Sequence, residues 1–350
     1  MKKNLLALAV AGAIAAPAAH ADAVLYGTLR VHFGVIGNGD DVSNSVSSNV
    51  SRLGVRGSEA LGNGMTAKYG FEWDVNASDE TGSGEGNFDS RNQWVGLAAQ
   101  WGEIRIGRHD TAYKRSTNTL FGQFGIGNSI ADYHNIVGSN AVSQGAFDSR
   151  LRNAVNYIGK TGNFDYEVSY ATDQRNRGDL PGPTSQDDVA FGGYVTYNGP
   201  NWAVGGGAAN EKVNNLDNWQ ARTYAKLELP SLMLGGIVEY GELEEADGDD
   251  NGRLNVAFGG IYTYSSRIKF HGFVGWAGDT DSGEDDNSVM LSGALAYSFS
   301  KRTKIMGIVS TMLNDDNANF GLRRAVSDAA LPADPGEDPF GAVVQIVHNF

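Results

Sequence analysis

Residues 49–57 read NVSRLGVRG, a short stretch in which charged and apolar side chains alternate. A β-strand sends successive side chains to opposite faces, so Arg52 and Arg56 share one face while Leu53 and Val55 share the other. In a soluble sandwich, the apolar face would pack inward onto a core. In an outer-membrane barrel, it would face lipid and the arginines would line water. The remainder of the sequence decides between these two structures.

A signal peptide is predicted for residues 1–21. Two lysines precede an apolar run from Leu5 to Ala16, and the triplet AHA at 19–21 is typical of a cleavage site. The whole chain has a formal net charge of −14, and removal of those two lysines would lower it to −16. The mature domain would span 22–350. It has no run of about 18 apolar residues, so no membrane-spanning helix is predicted.

The composition favours strands and turns over helices. The chain has 47 glycines but only 8 prolines, which suits many tight turns between closely packed strands. It has no cysteine, as expected of an exported protein that does not depend on disulfides. The acidic balance argues against nucleic acid as a partner.

The chain reads as sixteen strand segments, most of them about ten to fourteen residues long, which is enough to cross a bilayer at a tilt. Polar and apolar side chains alternate along the first segment. In the last segment the alternation is imperfect, because Val343 and Val347 fall on the face of Gln345. The segments lie at 23–36, 46–58, 64–76, 88–99, 102–110, 150–159, 163–172, 188–198, 201–211, 217–228, 231–242, 253–265, 267–277, 288–299, 302–313 and 340–350.

The connections between these segments alternate in length. Bacterial outer-membrane barrels combine short periplasmic turns with long external loops, whereas a soluble sandwich has no reason to keep its long loops at one end. The pattern therefore predicts an all-β, 16-stranded antiparallel transmembrane β-barrel with both termini at the end that carries the short turns. The long connections lie at 37–45, 77–87, 111–149, 173–187, 212–216, 243–252, 278–287 and 314–339.

Several motifs resemble the general trimeric porins of Gram-negative outer membranes, and they occur in the order in which that family has them. The resemblance covers essentially the whole mature chain and is closest to the neisserial and β-proteobacterial type. The chain also ends in Phe350, as chains of this family do. The motifs are VLYGTLR (24–30), SRLGVRGSEALGNGMTAKYGFEW (51–73), RNQWVGL (91–97), WGEIRIGRHDTAY (101–113) and YSFSKRTKIMGIVSTM (297–312).

The resemblance implies a homotrimer of barrels in the outer membrane, in which the third external loop of each barrel folds into the lumen and narrows it. In this chain that constriction loop would be 111–149. Three glycines in its sequence FGQFGIGN, at positions 122, 125 and 127, would let it bend inside the barrel.

The family sets a cluster of wall arginines against acidic residues on that loop. By the resemblance, three arginines of this chain match the wall positions, and strand alternation is expected to put them on the lumen face. Gln123 stands where enterobacterial relatives have a glutamate, and the only carboxylates of the loop are Asp132 and Asp148. The basic residues of the wall are thus retained, whereas the loop has few acidic residues, so the ion preference of the channel stays open. The predicted constriction residues are Arg52, Arg91, Arg150, Arg30, Arg152, Arg56, Gln123 and Asp132.

No catalytic site, cofactor or metal centre is predicted. No histidine pair has metal-ligand spacing, and no G-x-S-x-G motif occurs. Asp247, Asp249 and Asn251 match the start of a calcium loop, but position 12 is Phe258, so a solvated acidic loop is favoured. A weaker hypothesis is that the external acidic loops hold divalent cations that bridge lipopolysaccharide.

The predicted function is a water-filled channel for the passive diffusion of ions and small hydrophilic solutes across the outer membrane. Its expected partners are two further copies of the chain, lipopolysaccharide and membrane lipid, and the solutes themselves. Two alternatives stay open. One is a channel with a binding site for a specific sugar or phosphate, and the other is a non-conducting structural or adhesion barrel.

Overall fold

The structure is a computed structural model, and almost all of its described residues lie in strands and the turns between them. Within those residues the chain forms nineteen strands, one helix and one 3-10 turn. The structure describes residues 22–78, 88–121, 129–138, 147–172, 189–213, 216–244, 250–326, 329–331 and 333–350.

The strands run in chain order, with the helix α1 (Ala112–Phe121) and the 3-10 turn (Tyr133–Asn135) between the sixth and the seventh. They are β1 (Asp22–Gly37), β2 (Val42–Ser48), β3 (Arg52–Gly62), β4 (Met65–Val75), β5 (Phe88–Ala99), β6 (Gly102–Asp110), β7 (Arg150–Thr161), β8 (Phe164–Thr172), β9 (Val189–Asn198), β10 (Trp202–Val213), β11 (Leu216–Glu228), β12 (Leu232–Glu244), β13 (Asp250–Thr263), β14 (Ile268–Ala277), β15 (Ser288–Ser298), β16 (Thr303–Asn314), β17 (Leu322–Val326), β18 (Ala329–Leu331) and β19 (Phe340–Asn349).

The strands close into one antiparallel barrel. Each wall strand pairs with its neighbour in sequence, and β1 closes the ring by pairing with β19 on one side and with β2 and β3 on the other. Since β2 and β3 continue one another along β1, and β17 and β18 form a separate hairpin, the wall contains 16 strands. The predicted fold class is confirmed.

Three details differ from the sequence interpretation. The second segment is divided into β2 and β3 at residues 49–51, where Val50 adopts a φ of +53° and the register along β1 shifts. The connection 37–45 is correspondingly shorter, because β2 begins at Val42. The last long connection, 314–339, contains the hairpin of β17 and β18.

The side chains are distributed inside out relative to a soluble protein. On β1, Leu25 and Phe33 are 61% and 59% exposed on the outer face, whereas His32 is fully buried on the lumen side. The same alternation of exposed apolar and inward polar side chains recurs around the wall, as a bilayer outside and water inside require. Among the described residues, no helix is long and apolar enough to cross a membrane.

Candidate functional site

The described parts of the connection 111–149, between β6 and β7, lie against the lumen side of the wall. The Thr111 hydroxyl accepts a hydrogen bond of 3.0 Å from the Lys114 amide, which caps the first turn of α1. The same hydroxyl donates to the Phe147 carbonyl at 2.6 Å, so the two ends of the connection are tied together. Helix α1 then packs against β8, β9 and β10.

The apolar part of this connection packs on the late strands of the barrel. Ile130, Tyr133 and Ile136 are buried in one cluster with Ile308 and Val343. This contact explains part of the imperfect alternation of the last strand. At Val343 the inward face of β19 is covered by the inserted chain instead of by water, so an apolar residue is stable there. Val347 is also buried, but outside this cluster.

A buried ion cluster, here called the anchor and formed by Arg222, Asp148 and Glu239, joins the connection to β11 and β12. Arg222 Nη2 lies 2.6 Å from both Asp148 Oδ2 and Glu239 Oε2, and none of the three side chains is exposed. The guanidinium also lies 3.6 Å from the ring centre of Tyr113, and its Nη1 donates to the Thr117 hydroxyl at 2.8 Å. One arginine is therefore held from four sides.

Glu239 receives hydrogen bonds from both halves of the connection. The Tyr113 hydroxyl donates to Oε2 and the Gly138 amide donates to Oε1, each at 2.7 Å. Gly138 has a left-handed φ of +89°, and a Cβ at this position would collide with the Asp148 carboxylate. The geometry of the anchor therefore requires glycine at position 138.

Asp148 and Asp132, the two carboxylates of the connection, are both buried. Burial alone would raise the pKa of Asp148, but Arg222, and after it His134, outweigh burial and hold that pKa below its ordinary value. Asp132 Oδ1 lies 2.8 Å from His134 Nδ1 and accepts the His134 amide at 3.2 Å. The predicted constriction residue Asp132 is thus engaged by His134, near the anchor.

The structure brings three of the predicted arginines together on the wall of β3 to β7. Arg91 binds Glu72 and Asp74, both at 2.6 Å, and Arg52 Nε lies 3.7 Å from the other Glu72 oxygen. The Tyr26 hydroxyl also donates to Glu72 at 3.0 Å. Together with the adjoining residues around Asp110, this group is called the wall cluster. It comprises Arg52, Arg91, Arg150, Lys114, Glu72, Asp74 and Asp110.

Asp110 links the wall to the first turn of α1. Arg150 Nε lies 3.1 Å from Asp110 Oδ1, Lys114 Nζ lies 3.3 Å from the same oxygen, and Asn92 donates to the other oxygen at 2.7 Å. Burial lowers the pKa of Lys114 to about 8; the charges of Arg150 and Arg91 act in the same direction, and Asp110 opposes them. The ammonium is therefore still charged at neutral pH.

The lumen position of Arg91 depends on a β-bulge. Between Phe71 and Trp73 the register shifts, so that Arg91 and Asn92 both lie opposite Glu72. Simple alternation along β5 would put Arg91 on the same face as Val95, which is 60% exposed on the outside. The expected location is therefore found, but alternation was the wrong reason for it: the extra residue turns Arg91 inward.

A third contact joins α1 to β8. Arg115 Nε binds Glu167 Oε2 at 2.6 Å, and the Glu167 side chain is fully buried. Asn156 donates to the other Glu167 oxygen at 2.8 Å and lies 3.2 Å from His109 Nδ1. Neighbouring Arg105 binds Glu103 and lies over the Trp94 ring at 4.0 Å. All these side chains line the lumen wall below α1.

The remaining predicted arginines have other described contacts or positions. Arg56 is exposed over the Tyr26 ring at 5.0 Å and lines a recess of about 460 Å³. The Arg30 backbone is bound on both sides by the Ser51 hydroxyl, at 2.9 and 3.1 Å. Arg152 is half-buried in a second register shift, between β6 and β7. Gln123 lies outside the described residues, as do the three glycines expected to bend the loop.

The candidate calcium loop is described only in part. Asp247 and Asp249 lie outside the described residues, and the Asn251 side-chain oxygen accepts the Ser282 amide at 3.3 Å. Within the described part of the chain, no group of three or more histidine, aspartate or glutamate side chains could hold a metal ion.

Sequence reasoning missed the loop cations and the wall acids. The expected arrangement set wall arginines against loop carboxylates, and the anchor has this polarity in Arg222 and Asp148. In addition, Lys114 and Arg115 of α1 bind Asp110 and Glu167 of the wall. Arg222 was not a candidate either. Its only sequence signal is a charged residue at an inward position of β11, whose inward neighbours Gln220 and Lys226 are also polar, and this does not reveal its partners.

Comparison with known proteins connects this geometry to a family. The sequence profile of Gram-negative porins matches residues 7–317. The chain belongs to the Gram-negative porin family. This porin is similar to outer membrane porin protein 32 of Delftia acidovorans, with 28% identity over 374 residues and all of both chains covered. It is 26% identical over 332 residues to the major outer membrane protein P.IB of Neisseria meningitidis, with 87% of this chain and 92% of the relative covered.

The structural comparison agrees. The barrel resembles an anion-selective porin from Comamonas acidovorans with a TM-score of 0.80 and 23% identity, over 95% of this chain and 100% of that one. The protein is an outer-membrane porin that forms a channel. The comparisons do not favour the solute-specific channel or the non-conducting barrel.

Proposed function

We propose that the wall cluster lines the constriction of this porin and gives it a preference for small anions. The observation that carries the proposal is the charge balance of the cluster. Four cations, Arg52, Arg91, Arg150 and Lys114, share three carboxylates, which leaves one net positive charge beside the inserted α1. Rings of basic side chains favour anions in pores.

Exposure supports the same assignment. The Arg52 side chain is 37% exposed and only loosely paired with Glu72, so it can meet a passing solute without losing a tight partner. Arginine stays charged at any physiological pH and offers a planar set of donors to carboxylates and phosphates. The Comamonas acidovorans porin that this barrel resembles is anion-selective, which agrees with this chemistry.

The diffusing species are inorganic ions and small hydrophilic solutes, moving down their gradients without a cofactor. The working assembly is a homotrimer joined through the apolar outer faces of the barrels, with lipopolysaccharide around it. Residues 1–21 act as a signal peptide, and the connection 111–149 acts as the constriction loop. The outer face of β1, with exposed Leu25, Leu29 and Phe33, supports burial against lipid or a neighbouring subunit.

The proposal is tested by single-channel recording in a planar bilayer, with a salt gradient across the membrane, on wild type and Arg52→Ser. We expect conductance steps in groups of three, an anion preference in wild type, and a weaker anion preference in Arg52→Ser. The matched control is Lys212→Gln, which removes one positive charge from the outward side of β10. An unchanged reversal potential in Arg52→Ser would contradict the assignment, as would an equal shift in the control.

A further inference from the structure

The long connections at one end of the barrel concentrate negative charge. The described stretches 38–41, 278–287, 315–326 and 333–339 contain twelve carboxylates and only two basic residues, Arg323 and Arg324. The twelve are Asp40, Asp41, Asp279, Asp281, Glu284, Asp285, Asp286, Asp315, Asp316, Asp334, Glu337 and Asp338.

These stretches form one continuous rim. Asn287 donates to Asp315 at 2.8 Å, and Asn317 donates to the Glu284 carbonyl at 2.7 Å. Asp315, followed by burial and by Asp316, raises the pKa of Asp285, as expected where carboxylates crowd together. The acidic residues therefore contribute to one negative electrostatic potential at this mouth of the channel.

The opposite end of the barrel has the reverse composition. The seven short turns, at 63–64, 100–101, 162–163, 199–201, 229–231, 264–267 and 299–302, contain no carboxylate. Three of their side chains are basic and exposed, namely Arg267, Lys301 and Arg302.

Basic side chains also line the lumen just inside these turns. Lys304 lies close enough to Arg30 and Lys269 to be repelled by both. Within the described residues, neither Lys269 nor Lys304 forms an ion pair with a carboxylate. Across the lumen, a recess of about 590 Å³ is lined by Lys68, Lys160 and Lys226, although each of these lysines has a carboxylate neighbour.

We propose that this porin rectifies ionic current, because its external mouth carries fixed negative charge and its periplasmic end carries fixed positive charge. The external end gathers mobile cations, and the periplasmic end gathers mobile anions. A voltage that is positive outside drives both populations toward the middle of the channel, which fills with ions and conducts well. The reverse voltage draws both populations out, and the depleted middle conducts poorly.

The effect depends on salt in a defined way. At about 10 mM salt the Debye length is about 30 Å, so each charged end controls the ions over much of the channel. At about 1 M it is about 3 Å, and the two ends lose that control. The inference rests on an open porin channel but not on the wall cluster, which lies between the two ends.

The test measures the single-channel current at about +100 mV and about −100 mV, in symmetric KCl of about 10 mM and of about 1 M. For one elementary charge, this voltage corresponds to an energy well above thermal energy. The orientation of the channel in the bilayer is determined with Ser282→Cys in the external loop, because the chain has no other cysteine that would be labelled. The cysteine is biotinylated, and streptavidin is added to one side. We expect about twofold more current with the external side positive at low salt, and a ratio near one at high salt.

Two variants separate the two ends. Lys269→Gln with Lys304→Gln weakens the positive end, and Glu284→Gln with Asp285→Asn and Asp316→Asn weakens the negative end. Asparagine suits position 285, where φ is +56°. Each variant should bring the low-salt ratio closer to one, with high-salt conductance unchanged as the sign of a folded channel. Lys212→Gln is the control and should keep the wild-type ratio.

Symmetric wild-type current at low salt would overturn the proposal, as would larger current with the external side negative. An unchanged ratio in either the periplasmic or the external variant would also overturn it. Failure of the wall-cluster proposal is recognised separately, because it shows in the reversal potential of Arg52→Ser and leaves the current ratio as it is.

Discussion

The anchor and the wall cluster use the same chemistry on opposite sides of the inserted connection, with different consequences. In the anchor, one arginine with no exposed surface is shared by two carboxylates. In the wall cluster, four cations share three carboxylates, and Arg52 remains 37% exposed. Exposure and charge balance, more than residue type, therefore distinguish an arginine that holds the loop from one that can act on a solute.

The largest effect is expected from breaking the anchor. Arg222→Leu would leave Asp148 and Glu239 buried without their common cation, which costs about 3–5 kcal/mol in comparable buried pairs. We expect a lower urea midpoint of unfolding in detergent and an unstable, noisy single-channel current. The control Arg253→Leu removes an arginine paired with Asp286 near the external rim and should cost less. Equal losses in the two variants would contradict the special role of the anchor.

A smaller effect on stability, but a larger one on selectivity, is expected from Arg91→Gln. Glu72 would keep the Tyr26 hydroxyl and Arg52, and Asp74 is partly exposed, so the total cost should be about 1.5–3 kcal/mol. The net charge of the wall cluster would fall to zero. The reversal potential in a salt gradient should move strongly toward cations. If Arg91→Gln destabilised the barrel without moving the reversal potential, Arg91 would belong with Arg222 as a structural residue.

The pH dependence should distinguish the two clusters again. Lys114 has a lowered pKa of about 8, so it is charged below that pH and neutral above it. As pH rises from about 7 to about 9, the wall cluster loses its net positive charge and the anion preference should weaken. Lys114 is faced by Asp110, Arg150, Arg91 and Asp148, which are residue types whose ordinary pKa values lie far outside this range. Lys114→Met should abolish this pH dependence, and its persistence would assign the titration to another group.

The smallest effect is expected from Arg56→Ser. Arg56 is exposed and contacts Tyr26 only through a cation–π approach of 5.0 Å, so the free energy of unfolding should change by less than about 0.5 kcal/mol. The reversal potential should shift slightly toward cations at low salt and not at high salt. A shift as large as that of Arg91→Gln would extend the wall cluster to the periplasmic side of the lumen.

Much of the barrel could be predicted because side chains along a transmembrane strand alternate between lipid and lumen every two residues, and because short and long loops alternate along the chain. Each of the sixteen segments corresponds to a wall strand, and most ends agree within about three residues. The break between β2 and β3 and the bulge at Arg91 could not be predicted, since each depends on the register against a partner strand. The local sequence around Val50 and Asn92 does not indicate the strand break or the bulge.

The site was predictable only where a motif carried it. Arg52, Arg91 and Arg150 follow from the family resemblance, and their lumen contacts are found in the structure. The anchor joins residues 74 positions apart, Asp148 and Arg222, which no periodicity connects. The additional ion pairs, with cations of α1 on acids of the wall, depend on which face of α1 meets the wall. That face is fixed by packing and not by the charge count of the loop.

The most direct test of the central claim is the reversal potential of Glu72→Gln in a KCl gradient of about 10 to 100 mM. Glu72 binds Arg91 and lies beside Arg52, so its neutralisation removes negative charge from the wall cluster and leaves every cation in place. The account predicts a stronger anion preference than in wild type, opposite in sign to the shift in Arg52→Ser. An unchanged potential, or a shift toward cations, would show that the wall cluster does not set the selectivity of the channel.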